Sequence, residues 1–194
     1  MKLDRHYWNH RYQEDQTGWD LKKVSPPLKE YFDQLTDKSL KILIPGGGYS
    51  YEAQYLWEQG FKNVYVIDYS EIALNDLRNR VPAFAKAQLI QGDFFELEDS
   101  FDLIIEQTFF CALDPQLRKD YVIKMNNLLN PNGKLVGLFF DFPLTNEGPP
   151  FGGNAKLYKA YFTKYFRIEK LERAYNSAEG RQGKELFFKF LKRL

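Results

Sequence analysis

The sequence is most informative at first through what it has little of. It holds one cysteine, Cys111, in 194 residues. That excludes an internal disulfide framework and a thiolate zinc cage. There are two histidines, His6 and His10, four residues apart. Such spacing suits a metal, but no third ligand accompanies them and no HExxH is present, so no metal is expected. Long apolar runs are missing too. The longest stretch of apolar residues and glycine, Leu135–Phe140, falls far short of the roughly 20 residues a membrane helix needs. The opening MKLDRHYWNHRYQED has no apolar core of a signal peptide, which makes the cytoplasm the expected location. Lysine plus arginine is 27 and aspartate plus glutamate 26, a net charge of +1. A near-neutral chain lacks the basic surface that phosphate backbones demand. The expected partner is therefore a small molecule rather than nucleic acid or a membrane, and the expected state is a monomer. No repeat and no low-complexity tract interrupts the chain.

What is present fits one globular domain. Hydrophobic residues make up 44% and charged residues 27%, both ordinary, while aromatics reach 17%. After residue 40 strand and helix patterns alternate, as in a parallel sheet covered by helices. Strands are predicted at Leu40–Ile44, Asn63–Asp68, Gln88–Ile90, Phe101–Glu106 and Lys134–Phe140. Between them, helices are predicted at Tyr51–Gln59, from an N-cap at Ser70 to about Arg80, and from the Asp114-Pro115 start to about Leu129. Asn130–Gly133 reads as a turn. Residues 143–153 hold three prolines and three glycines and read as a loop. A helix at Lys156–Tyr165 precedes two strands, Phe166–Ala174 and Glu185–Leu191, read as a hairpin at the sheet edge. Two short helical segments, Asp4–Gln13 and Pro27–Leu35, lead the chain. The expectation is a single domain over 1–194, with 1–35 as an N-terminal helical lid.

Three pieces of chemistry converge on one edge of that sheet. The loop Pro45-Gly46-Gly47-Gly48 follows a strand and precedes a helix, the setting in which backbone N–H groups receive an electronegative ligand. Asp68 follows Gly48 by twenty residues at the end of the next strand, where a carboxylate meets ribose hydroxyls. Gly92-Asp93-Phe94 follows the third strand, with Asp93 placed for an adenine amino group and Phe94 for the ring. Tyr51 occupies the last position of G-x-G-x-x-G, and its bulk disfavours a pyrophosphate. No Gly-Lys-Ser/Thr follows, which excludes a Walker loop. An adenosine ligand without a diphosphate remains, with S-adenosylmethionine as the leading candidate. Each piece has a plainer reading: a tight turn for the glycines, an Asx turn for Asp93, and a docking face for the helix carrying Trp8 and Tyr12. Cys111 lies in an apolar stretch and reads as a packing residue rather than a nucleophile.

The order of elements resembles class I S-adenosylmethionine-dependent methyltransferases. More narrowly, the chain resembles the thiopurine S-methyltransferase family, and within it the plant thiol and halide methyltransferases. The resemblance rests on Thr17-Gly18-Trp19-Asp20, Leu43–Gly48, Val66–Ser70, Phe101–Ile104, Phe109–Ala112 and Gly148-Pro149-Pro150. It implies a Rossmann-like three-layer α/β sandwich, a mostly parallel seven-stranded sheet with an antiparallel C-terminal edge hairpin. It also implies cofactor contacts at Trp8, Trp19, Gly46, Asp68, Asp93 and Phe94, with Gly48 in the same loop. Tyr12 stands where the plant enzymes have a third tryptophan. Gln107 stands at the position facing the reacting centre, where the plant enzymes have tyrosine and the thiopurine enzymes arginine. Aromatic rings at 8, 12 and 19 suit a desolvated sulfonium cation, which their faces attract by roughly 0.5–2 kcal/mol. The expected activity is methyl transfer to a small soft nucleophile such as a thiol, hydrosulfide or halide. No catalytic side chain is singled out. The alternatives are a cofactor-binding module without turnover and an NAD(P)-dependent oxidoreductase.

Overall fold

A computed structural model describes residues 3–193. Seven strands form one sheet: β1 (Ile42–Pro45), β2 (Val64–Asp68), β3 (Leu89–Gln91), β4 (Phe101–Gln107), β5 (Leu129–Phe140), β6 (Phe166–Arg173) and β7 (Glu185–Lys192), in the order β3-β2-β1-β4-β5-β7-β6. β1 to β5 pair in parallel, whereas β7 runs antiparallel to both of its neighbours. Six helices surround the sheet: α1 (Arg5–Gln13), α2 (Pro26–Asp33), α3 (Tyr51–Glu58), α4 (Glu71–Arg80), α5 (Arg118–Leu128) and α6 (Ala155–Phe162).

Alternation along the strands divides the core between two faces. Ile42 and Ile44 of β1 join Leu28, Phe32, Leu56 and Leu77 on the α2–α4 face. Leu43 points the other way, with Ile104, Tyr121, Met125 and Phe162 on the α5–α6 face. Most of the aromatic excess is spent there: Phe139 stacks on Phe188 with centroids 4.0 Å apart, and Phe110, Phe162 and Phe190 complete the cluster.

The helix starts follow local chemistry. Asp4 accepts from the Tyr7 N–H, Ser70 from Ala73 and Asn154 from Leu157, each capping a first turn. Asp114-Pro115 opens a short 3₁₀ turn, Pro115–Leu117, before α5. One expectation fails. Asn130–Gly133, expected as a turn before the fifth strand, belongs to β5 itself. Phe101 pairs with Leu129 and Leu103 with Lys134, so these four residues bulge opposite one. Asn132 takes φ 63° within the bulge, and Asn130 donates to Asp102 across it.

Because β1 to β4 are parallel, their C-terminal ends share one edge. From β1 the chain steps outward through β2 to β3 and then crosses back to β4 on the other side of β1, and ligands bind at such a switch point. α2 is part of the core, since Leu28 and Phe32 are buried and the Ser25 N–H donates to buried Glu52 (2.9 Å). α1 and the segment up to Leu21 instead face the open edge.

Candidate active site

A cavity of about 1100 Å³ opens at that edge, among Trp8, Tyr12, Trp19, Gly46, Asp68, Asp93, Phe94 and Gln107. The structure thus brings together the residues the sequence nominated, with one exception. Gly48 does not line the cavity. Its N–H donates to Asp68 Oδ2 (2.8 Å), so it acts by fixing that carboxylate. The Ser70 N–H holds the other oxygen (2.7 Å). Burial pushes the Asp68 pKa up, opposed by these backbone N–H groups.

The glycines serve the aromatic wall more than a bare ligand cradle. Gly46 and Gly48 take φ +57° and +54°, which only glycine adopts at little cost. A Cβ at Gly46 would lie 2.1 Å from the Phe109 ring, and one at Gly48 would lie 2.7 Å from the Tyr12 hydroxyl. Ser50, just before α3, is also left-handed, at φ 50°.

Tyr12 sits between the glycine loop and Trp19. Its ring meets Trp19 edge-on at 5.7 Å and Tyr49 at 5.2 Å, and Trp8 meets Trp19 at 5.6 Å. The Trp19 indole lies beside the Tyr12 ring, and the Tyr12 pKa is pushed up first by burial and then by Asp68. These rings form a continuous wall. Asp93 makes the Asx turn, accepting from the Phe95 N–H (2.8 Å); burial and, after it, Asp93 raise the Tyr69 pKa. Phe94 is buried against Phe109, centroids 5.2 Å apart, and presents only part of its ring to the cavity.

Gln107 also lines the cavity, and its amide oxygen is buried without a partner. Pro149, Pro150, Phe140 and Leu113 line the cavity as well. Cys111 is buried, donates to Thr108 O (3.2 Å), and burial pushes its thiol pKa far up, so it is held as a thiol. His6 and His10 are exposed, and among the described residues no group of three or more His, Cys, Asp or Glu is arranged for a metal.

Four charged side chains escaped the reading of the sequence. Glu106, fully buried, accepts from the Phe109 and Phe110 N–H groups (2.8 and 2.9 Å) and from the Tyr121 hydroxyl. Burial raises its pKa to about 7. It shapes the turn carrying Thr108, at φ 59°, and Phe109. Arg118, also fully buried, donates to the carbonyls of Gly152 (3.0 Å) and Phe151 (3.2 Å) and anchors the loop behind Pro149-Pro150. Its place on the buried stripe with Tyr121, Val122, Met125 and Leu128 was the one available signal. Arg181 pairs with Glu185 (3.3 Å) and donates to Trp19 O (2.5 Å). It adds a guanidinium to a cavity whose Gln107 is neutral. Arg11 stands over the Trp19 ring, 5.3 Å from its centroid.

The lining fits an adenosyl cofactor with a sulfonium centre: the carboxylates Asp20, Asp68 and Asp93 face the cavity together with the aromatic wall. The sheet order and this edge define a class I S-adenosylmethionine-dependent methyltransferase. A solved structure with the same fold is a 1,6-didemethyltoxoflavin-N1-methyltransferase from Burkholderia thailandensis, bound to 1,6-didemethyltoxoflavin and S-adenosylhomocysteine. It superposes with a TM-score of 0.80 at 15% identity, over 98% of this chain and 87% of that one. The chain belongs to the thiopurine S-methyltransferase family, which it matches over residues 3–189. Relatives include a thiopurine S-methyltransferase of Acinetobacter baylyi, 26% identical over 93% of this chain and 94% of its own length. Another is thiocyanate methyltransferase 1 of Arabidopsis thaliana, 28% identical over 92% of this chain and 81% of that protein. Among the described residues, no helix is long and apolar enough to cross a membrane.

Proposed function

We propose that this methyltransferase moves the methyl group of S-adenosylmethionine to a small soft nucleophile: a thiol, hydrosulfide or halide. The observation that carries the proposal is one cavity in which Asp68, Asp93, Phe94, the Trp8–Tyr12–Trp19 wall and Gln107 converge. When bound, the cofactor supplies a methyl group on a sulfonium whose sulfur leaves neutral. In this reading Asp68 accepts from the ribose hydroxyls, Asp93 holds the adenine amino group, and Phe94 lies against the ring. Gly46 and Gly48 keep the loop and the Asp68 carboxylate in place. Trp8, Tyr12 and Trp19 exclude water and stabilise the cation without attacking it. Gln107 meets the acceptor. An acceptor that arrives ionised needs no general base, and catalysis then comes from alignment and desolvation. The names of the sulfur-directed relatives support this choice of acceptor.

The same reading treats 1–194 as one domain and 1–35 as a lid. Only the part before α2 faces the cavity, since Leu28 and Phe32 are core residues. It also has the protein act as a cytoplasmic monomer on small molecules, away from nucleic acid and membranes, consistent with a charge of +1. The test is transfer of labelled methyl to a panel of hydrosulfide, small thiols, iodide and mercaptobenzoate. The first three should turn over faster. Faster methylation of mercaptobenzoate would refute the neutral acceptor site. S-Adenosylhomocysteine binding without any transfer would support the non-catalytic alternative. Tighter binding of a nicotinamide dinucleotide would support the oxidoreductase reading.

A further inference from the structure

Two guanidinium groups reach the cavity wall, from Arg11 and Arg181. Arg181 is committed to Glu185 and to the Trp19 carbonyl. Arg11 is held differently. Its Nε donates to Gln16 O (3.1 Å), one terminal nitrogen donates to the Tyr7 hydroxyl (3.2 Å), and its Cζ stands 5.3 Å from the Trp19 centroid. These contacts fix the plane of the group but supply no negative charge. None of the ion pairs among the described residues includes Arg11. A guanidinium has five N–H donors, so three remain free at the cavity wall.

The neighbours of Arg11 give these free donors a direction. Asp68 receives the Gly48 N–H (2.8 Å). A Cβ on Gly48 would lie 2.7 Å from the Tyr12 hydroxyl and 3.9 Å from Trp19 Nε1. Trp19 in turn carries Arg11. A chain of contacts thus runs from the ribose carboxylate, past the glycine loop and the aromatic wall, to an unpaired cation. S-Adenosylmethionine is laid out in the same order, with ribose, sulfonium and then an amino acid ending in a carboxylate. We infer that Arg11 binds the carboxylate of the cofactor's amino-acid tail. The inference rests on the cofactor reading above. Arg–carboxylate pairs are short, charge-assisted and often bidentate, and lysine reproduces the charge but not the fork.

The test is calorimetric binding of two ligands that share the adenosine thioether. S-Adenosylhomocysteine carries the amino-acid tail and 5′-methylthioadenosine lacks it. Arg11→Gln should weaken the first about 10- to 100-fold while leaving the second within about twofold, as expected for losing one charged hydrogen-bonded pair. Arg11→Lys should fall between. Equal losses for both ligands, or no loss for S-adenosylhomocysteine, would overturn the inference. A measurement without mutation guards against misfolding. The wild-type protein should bind S-adenosylhomocysteine at least about tenfold more tightly than its descarboxy analogue, and equal affinity would also overturn it. Wild-type protein that binds neither adenosine ligand would instead overturn the cofactor reading.

Discussion

Replacing Glu106 with glutamine should flatten the pH dependence of stability. The carboxyl is fully buried with no cation beside it; its partners are two backbone N–H groups and the Tyr121 hydroxyl. Burial is the largest influence and lifts its pKa from 4.5 to about 7, against the pull of those three donors. In the unfolded chain the group titrates near its ordinary value. Between the two values the folded protein keeps a proton that the unfolded chain releases. The protonated carboxyl therefore leaves stability intact below about pH 4.5, and stability falls as pH rises through 7. The span from 4.5 to about 7, at about 1.4 kcal/mol per unit, amounts to ~3 kcal/mol. Glutamine has no proton to lose. Its amide oxygen can still accept from Phe109 and Phe110, and the Tyr121 hydroxyl can turn to accept from the amide nitrogen. The difference in stability between variant and wild type should then shift by ~3 kcal/mol in favour of the variant between pH 4.5 and 8, or ~6–12 °C in Tm for a chain of this size. Urea unfolding of both proteins across that range measures it. Every other titrating group cancels in the difference. Parallel curves at all pH values would refute the reasoning.

Asp68→Ala should leave the fold intact and weaken S-adenosylhomocysteine by about 1.5–3 kcal/mol, the loss expected for a charged hydrogen-bond acceptor. Unchanged calorimetric affinity in a folded variant would remove Asp68 from the ribose. Trp19→Ala should cost S-adenosylmethionine about 0.5–2 kcal/mol more than S-adenosylhomocysteine, since only the former carries the sulfonium charge; equal losses would reduce Trp19 to packing. Gln107→Tyr should keep or raise iodide turnover, and Gln107→Arg should move preference toward anionic aromatic thiols. Initial rates with each acceptor check both, and an unaltered ratio in Gln107→Arg would show that position 107 does not meet the acceptor.

The fold was legible where the signal is local. The β-branched run Val64–Asp68 became β2, Ser70 caps α4, and Asp68 closes on the glycine loop twenty residues before it. The bulge at 130–133 was not legible, because turn-forming residues look alike whether they end a strand or swell one; only the pairing of β4 with β5 decides. The charged residues were hidden for a related reason. Arg181 meets Trp19 across 162 positions of sequence, and Arg118 finds its carbonyls more than thirty residues downstream. Lys119 and Asp120 beside Arg118 are charged and exposed, so charge along the chain does not single out the buried member. Glu106 lies next to the end of β4, whose apolar residues announce burial, but its partners, Phe109, Phe110 and Tyr121, lie in a turn and a helix further along the chain.

β7 lies between β5 and β6 although it follows both in sequence. During synthesis, β6 therefore emerges before β7, the strand to which it is hydrogen-bonded. Until residues 185–192 appear, the growing sheet ends at β5, and the apolar positions Leu135, Val136, Leu138 and Phe139 face a vacant neighbour. An open apolar edge is a template for another chain, and pairing that joins Lys134 to Leu191 is slow because the intervening loop has to close first. The interval between the emergence of Phe140 and that of Lys192 is thus when a nascent chain is most exposed to association with its siblings. A chaperone holding the β5 edge would protect the chain during that interval.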